Sequence, residues 1–351
     1  MRRHAVIGTY TDGDGNGIYT CPVATDGLPE TDRVHSNPVP DDPSFVARHP
    51  TGDCWYAVHE TDPGAASAIQ VDADGNIEQQ NRVKTGAEGP CFCRVHPSGD
   101  HLLVAHYTGS AVSVLPIGSD GTLANPTAVE EHEGSSITSR QTAPHPHSIV
   151  PGPNGKFVYV PDLGTDEIVV YEIDERGGTL QRKTTVDVRP GAGPRHLTFH
   201  PTEPLVFVSN ELDSTVAVFE WVEQTGVFEH VDRVSTCPSD GEVENYPGEV
   251  LVHPDGKRLY ASNRGHDSIV VFEIDPEGGS LEPRAWVDTE GEWPRHFSLD
   301  PAGETLFVGN RRSGSVTVFR VSSESGRPHR TEASIPVPNP TCVAFTRVED
   351  E

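Results

Sequence analysis

Arg195, Arg264, Arg295 and Arg311 follow prolines or asparagines at recurring offsets, in a chain where 53 acidic residues outnumber 26 basic ones and leave a formal charge of −27. Planar guanidinium groups take carboxylate or phosphate in bidentate fashion, so several together would select a small anion against the repulsion of the surface. His147, in the segment PHPHS, adds a group with a reference pKa near ~6.5 that can take up and return a proton. Glu211, set among cations, is expected to stay ionised and to orient an arginine or a water. A proton carrier beside cations that stabilise a developing anion suits general acid–base chemistry on a small anionic molecule. The same arginines also read as partners of Glu60, Asp162, Glu211 and Glu249 that merely neutralise a polar channel.

The elements that must position these groups are written in prolines. Pro43, Pro90, Pro146, Pro194, Pro247, Pro294 and Pro340 each open a short strand pattern, at spacings of 47, 56, 48, 53, 47 and 46 residues. Periods of that size mean a propeller or a solenoid. The stretch from Gly248 contains GEVLVHP, KRLYASNRG, DSIVVFEID and LEPRAWVDT, four short strands separated by turn residues, and no window sustains an apolar helical period. The expected fold is therefore all-β: one seven-bladed β-propeller spanning 1–351, each blade a four-stranded antiparallel sheet. Residues 5–10, 17–23 and 32–39 match the second to fourth strands of a blade that lacks its innermost strand. The segment from Pro340 to Phe345 is predicted to supply it, closing the ring and removing an exposed edge.

With strands named a to d from the axis outward, the starts of a and the ends of b lie at one end of the ring. The residues after the repeat prolines are Ser44, Cys91, His147, Arg195, Gly248, Arg295 and Thr341. The b strands end in His59-Glu60, His106-Tyr107, Asp162-Leu163, Asn210-Glu211, Asn263-Arg264 and Asn310-Arg311. Both sets converge on one channel mouth. The two longest periods place insertions at 130–143, with Arg140 and Gln141, and at 237–246, with Asp240, Glu242 and Glu244, where they can wall the pocket. His145 and His147 form an HxH pair, but a metal site needs a third ligand, and a cation-rich mouth repels a metal ion. His49, His96, His200 and His253 recur before the second proline of their repeats and read as turn or packing positions.

Cys21, Cys54, Cys91, Cys93, Cys237 and Cys342 include no CxxC pair and read as buried strand thiols; nothing marks Cys91 as a nucleophile. Only four basic residues are lysine, and the acids are spread along the chain, a composition resembling that of halophile proteins, whose self-repulsion concentrated salt screens. No basic stripe suits nucleic acid, and neither a signal peptide nor a membrane span is expected, which makes the cytoplasm the default location.

PHPHS (144–148), GAGPRHLTFHP (191–201), NELDSTV (210–216), PDGKRLYASNRGHDSIVVFEID (254–275) and WPRHF (293–297) resemble the seven-bladed propeller lactonases, a family that includes propeller-type 6-phosphogluconolactonases and fungal 3-carboxymuconate lactonizing enzymes. The resemblance runs from about Ala5 to Phe345. It implies a catalytic His147, Arg195, Glu211 and Arg264, with His145, His196, His266, Arg295 and Arg311 as further substrate-binding groups, no metal and no cofactor. Pro146 and Phe92 depart from the family pattern without touching the catalytic four. The implied activity is the opening of a small anionic sugar lactone, most naturally 6-phosphoglucono-δ-lactone. A carboxymuconate-type cycloisomerase using the same groups, and a propeller that only binds a ligand or protein, both remain open, as does the oligomeric state.

Overall fold

Strands rich in Val, Ile, Phe and Tyr stack radially because each b and c strand is covered on both faces by a neighbouring blade. The computed structural model describes residues 3–51, 54–238, 243–275 and 278–346. These form seven four-stranded antiparallel sheets arranged as a ring. Blade 1 comprises Pro43–Arg48, Cys54–His59, Ala65–Val71 and Ile77–Lys84, and blade 2 comprises Pro90–Val95, His101–His106, Ala111–Pro116 and Ala128–Glu131. Blade 3 comprises Val150–Pro151, Phe157–Asp162, Glu167–Asp174 and Thr179–Asp187; blade 4 comprises Pro194–Phe199, Leu205–Asn210, Thr215–Val222 and Val227–Ser235. Blade 5 comprises Tyr246–Val252, Arg258–Arg264, Ser268–Ile274 and Leu281–Asp288; blade 6 comprises Pro294–Leu299, Thr305–Asn310, Ser315–Val321 and Pro328–Pro336.

Blade 7 joins the two ends of the chain. Pro340–Phe345 pairs with Arg3–Thr9 in the register Ala5↔Phe345 to Thr9↔Pro340, and Gly17–Val23 and His35–Pro38 complete the sheet. The fourth strand, expected over 32–39, is shortened by a 3₁₀ turn at Thr31–Arg33. Ala5, Ile7 and Val343 then bury against Phe307 and Val316 of blade 6, each such side chain contributing about 1.5–3 kcal/mol. No helix among the described residues is long and apolar enough to cross a membrane.

Histidine latches tie neighbouring blades together. His49, His96, His200 and His253 reach from one blade to the carbonyls of Gly99, Gly155, Gly256 and Gly303 in the next, at 3.0, 2.7, 2.7 and 3.0 Å. In the first three, Nδ1 accepts a local backbone N–H, from Thr51, Ser98 or Thr202, so Nε2 carries the proton and donates, whereas His253 Nδ1 faces the Asp255 carboxylate at 2.9 Å. Gly256 has φ of 72°, and a Cβ there would stand 2.8 Å from His200 Cε1. Both the turn and the latch therefore require glycine.

A register shift at the start of the inner strand aims the functional residues. Pro43 pairs with His59 while Phe45 pairs with Val58, leaving Ser44 as an extra residue. The same shift isolates Cys91, Arg195, Arg295 and Thr341, and blade 3 places His147 just past its Pro146↔Asp162 bridge. A β-bulge re-aims a side chain at a barrel rim without disturbing the rest of the ladder.

Candidate active site

Two tiers of side chains meet at the channel mouth around a cavity of about 360 Å³. The upper tier comes from the residues that follow or end the b strands: Tyr10, Glu60, Tyr107, Glu211, Arg264 and Arg311. Their backbones are pinned. The N–H groups of Glu60, Tyr107, Glu211, Arg311 and Tyr10 donate to the carbonyls of Asp42, Gly89, Gly193, Trp293 and Asn339, each one residue before a repeat proline, at 2.7–3.2 Å. The bulge tier contributes His147 and Arg295, the pre-proline positions contribute Tyr246 and Trp293, and the insertion before blade 3 contributes Arg140. Four arginines against two glutamates leave this wall two net positive charges, inside a chain of formal charge −27.

Glu211 organises one side of the cavity. Its Oε2 accepts from Arg264 Nη2 at 2.7 Å and its Oε1 from Arg140 Nη2 at 3.0 Å. Burial alone would raise the Glu211 pKa, but Arg264 and Arg195 outweigh it and hold the carboxyl at about 2. Arg264 is held further by the carbonyls of Tyr246 and Pro247, each at 2.9 Å. Arg195 lies beneath, with Nε 3.2 Å from Glu211 Oε2 but off the line of a hydrogen bond. Its Nε and Nη1 are therefore buried without an acceptor among the described residues. Burial, with Arg264 and Arg295 nearby, lowers the Arg195 pKa to about 9.

The opposite side is built on Tyr10. Arg295 Nη2 donates to the Tyr10 hydroxyl at 2.9 Å, and that hydroxyl donates to Glu60 Oε2 at 2.8 Å. The Arg311 guanidinium lies over the Tyr10 ring, 4.6 Å from its centroid, with no ion pair or hydrogen bond from its guanidinium among the described residues. His147 stands between the two sides, 5% exposed. Burial, then Arg195, His196 and Arg295, push its pKa well below 6.5, so the ring is neutral. Its Nδ1 faces Cys91 Sγ at 3.8 Å, and burial pushes the Cys91 thiol up, so it stays protonated.

The profile of the family described as "Lactonase, 7-bladed beta-propeller" matches residues 4–345. The chain belongs to this lactonase family. It is 32% identical over 341 residues to the 6-phosphogluconolactonase of Bacillus subtilis (strain 168), a match covering 97% of each protein. The solved structure of the Pseudomonas aeruginosa periplasmic gluconolactonase PpgL superposes with a TM-score of 0.93 at 30% identity, covering 99% of this chain and 100% of that one. A Lactobacillus plantarum protein superposes with a TM-score of 0.92 at 28% identity, with 99% and 100% coverage.

Of the residues the lactonase resemblance implied, His147, Glu211, Arg264, Arg295 and Arg311 line the cavity, and Arg195 supports it from below. Three histidines expected to bind substrate stand outside the wall. His145 stacks on Tyr107 at 4.4 Å and its Nδ1 bonds the Tyr107 carbonyl at 2.9 Å, so it holds a wall residue. His196, one residue past the bulge, turns to Glu249 at 3.0 Å, and His266 bonds Ser268 Oγ at 2.8 Å within its own turn. Among the described residues, Glu211 is the one of the four acids in ion-pair contact with these arginines, while Glu60 and Glu249 act on Arg295 and Arg195 from further off. Asp162 pairs with His132 at 2.6 Å, Glu249 serves His196 and His296, and Glu60 takes Tyr10.

Arg140 reaches the wall from the first insertion, as expected; Asp240 and Glu242 of the second lie outside the described residues. Sequence reasoning did not find Tyr10, Tyr246 and Trp293 as wall residues. For Tyr246 and Trp293 the signal was available, since each directly precedes a repeat proline. Among the described residues no three His, Cys, Asp or Glu side chains group as metal ligands, and the His145 and His147 rings have separate partners.

Proposed function

We propose that this lactonase opens a sugar-acid lactone bearing an anionic group, with 6-phosphoglucono-δ-lactone as the preferred substrate. The observation that carries the reading is the net positive cavity, with its unpaired Arg311, in a strongly negative protein. Arg311 and Arg295 hold the phosphate at the Tyr10 side, where guanidinium groups match its oxygens. The lactone carbonyl then lies toward Glu211 and Arg264.

Neutral His147 takes a proton from water as the water oxygen bonds to the carbonyl carbon. Arg264 stabilises the tetrahedral oxyanion, while ionised Glu211 fixes Arg264 and Arg140 in place. Collapse breaks the ring C–O bond, and the departing alkoxide takes the proton back from His147, so lactone and water become the open hydroxy acid. Arg195 acts as a positioning residue beneath Glu211. The chemistry needs no metal, since the arginines supply the electrostatic stabilisation.

The test is the rate of 6-phosphogluconolactone hydrolysis above the spontaneous background, in high salt, for the wild type and His147→Ala. Acceleration that disappears in the variant supports this reading. Folded wild type that leaves the lactone at its spontaneous rate refutes it, and turnover of a carboxymuconolactone instead would favour cycloisomerase chemistry.

A further inference from the structure

Trp293 holds a backbone conformation that its residue type disfavours, and it does so on the cavity wall. Its φ is 64°. One residue before the repeat proline in other blades stand Asp42, Gly89, Gly193 and Asn339, with φ of 50°, 56°, 65° and 46°. Gly, Asn and Asp are the residues that tolerate the left-handed region, whereas a bulky aromatic there is an outlier. The repeat thus contains an unstrained solution that blade 6 does not use.

The surroundings hold the conformation in place. The Trp293 N–H donates to Asp267 Oδ1 at 2.8 Å and its carbonyl accepts from Arg311 N at 3.0 Å. The Arg312 guanidinium lies 3.6 Å from the indole centroid, Arg264 stands 5.7 Å away and the Tyr246 ring 5.9 Å away. The indole belongs to none of the apolar clusters between the blades, so core packing does not explain its retention. Strain that persists because neighbours over-determine it is a mark of a functional position.

We propose that Trp293 is the specificity-determining platform for the sugar ring, its indole stacking on the C–H face of the lactone while the arginines take the polar edge. This deepens the sugar-lactone reading and rests on it. An aromatic face offers a large, rigid, apolar contact that is indifferent to charge. Trp293 therefore serves phosphorylated and unphosphorylated sugar lactones alike, which separates its role from that of Arg311.

The experiment compares wild type, Trp293→Asn and Trp293→Phe for hydrolysis of glucono-δ-lactone and 6-phosphoglucono-δ-lactone, with urea unfolding of each protein. Asn accepts the left-handed backbone, so Trp293→Asn is expected to unfold at no lower urea concentration than wild type. Its KM should rise about tenfold for both lactones, the loss of one aromatic contact. Trp293→Phe should keep KM within about threefold of wild type, since it retains an aromatic face. An unchanged KM in Trp293→Asn overturns the proposal while leaving the lactonase reading intact. A lower urea midpoint for Trp293→Asn also overturns it, because the indole would then be supporting the fold. A folded wild type that accelerates neither lactone removes the sugar-lactone reading and this proposal with it.

Discussion

Replacing Glu211 by glutamine keeps the shape of the side chain and removes the charge around which three arginines are arranged. The carboxyl is held at about 2 against an ordinary 4.5, and Glu211 is only 4% exposed, so solvent screening takes little away. At about 1.4 kcal/mol for each tenfold change in the proton equilibrium, that depression is worth about 3 kcal/mol of folding stability at neutral pH. The folded-state pKa lies below the unfolded one, so this contribution is complete above about pH 5 and is lost as pH falls toward 2. Urea unfolding should therefore show Glu211→Gln less stable than wild type by about 3 kcal/mol at pH 7 and by roughly half as much at pH 3, at the same ionic strength. The pH dependence matters more than the size. An equal gap at both pH values would mean that the lost stability comes from packing or geometry, and the picture of an ionised Glu211 clamping Arg140, Arg195 and Arg264 would be wrong.

His147→Gln should lower kcat by about 10²- to 10⁴-fold. In wild type the acid limb of kcat/KM should lie well below pH 6.5, since burial and Arg195 keep the imidazole neutral; a limb at or above 6.5 would contradict the electrostatics of the site. Arg311→Ala should raise KM for 6-phosphogluconolactone by about 10- to 100-fold, the range for one charge-assisted hydrogen bond, and leave glucono-δ-lactone nearly unaffected. Equal effects on the two lactones would dissociate Arg311 from the phosphate. Gly256→Ala should cost about 1–3 kcal/mol in urea unfolding without moving KM, because it strains the turn and breaks the His200 latch. Circular dichroism across a salt titration should show the −27 chain losing its fold at low ionic strength, and full stability without salt would dismiss the halophilic reading.

The proline period carried most of the fold because Pro43, Pro90, Pro194, Pro294 and Pro340 each open an inner strand and sit at a bulge, so the residue after each is the one aimed inward. Arg195, Arg295 and His147 could be read from that offset alone. His196 could not be separated from Arg195 in the sequence: they are adjacent, and only the position of the register shift sends one beneath the wall and the other to Glu249. Trp293 was hidden for a different reason. Its place before Pro294 was legible, but nothing about a tryptophan signals a turn with positive φ, which shows only once Gly89, Gly193 and Asn339 are superposed on it. The choice of partners was also out of reach. Whether Asp162 takes an arginine or His132 depends on distances between blades, which the spacing along one chain does not contain.

The way the rim is tethered separates the closure of the ring from the chemistry of the site. Glu60, Tyr107, Arg311 and Tyr10 are fixed through main-chain N–H groups to pre-proline carbonyls, so their backbone placement does not depend on the side chain. Any residue type except proline, which lacks the N–H, can occupy such a position without loss of the backbone bond, and charge can be placed there for function alone. The inner tier has no such freedom. Arg195 is 2% exposed, has two donors without acceptors among the described residues, and has a pKa that burial, Arg264 and Arg295 lower to about 9 while Glu211, 3.2 Å away, and Glu249 favour its cationic form. An uncompensated cation at that depth would cost several kcal/mol, about the amount that breaking a buried ion pair costs. Arg195 and Glu211 are thus one unit. Substitutions on the upper tier other than at Glu211 should retune which anion is bound, whereas a change at either member of this pair should be rescued only by a compensating change at the other.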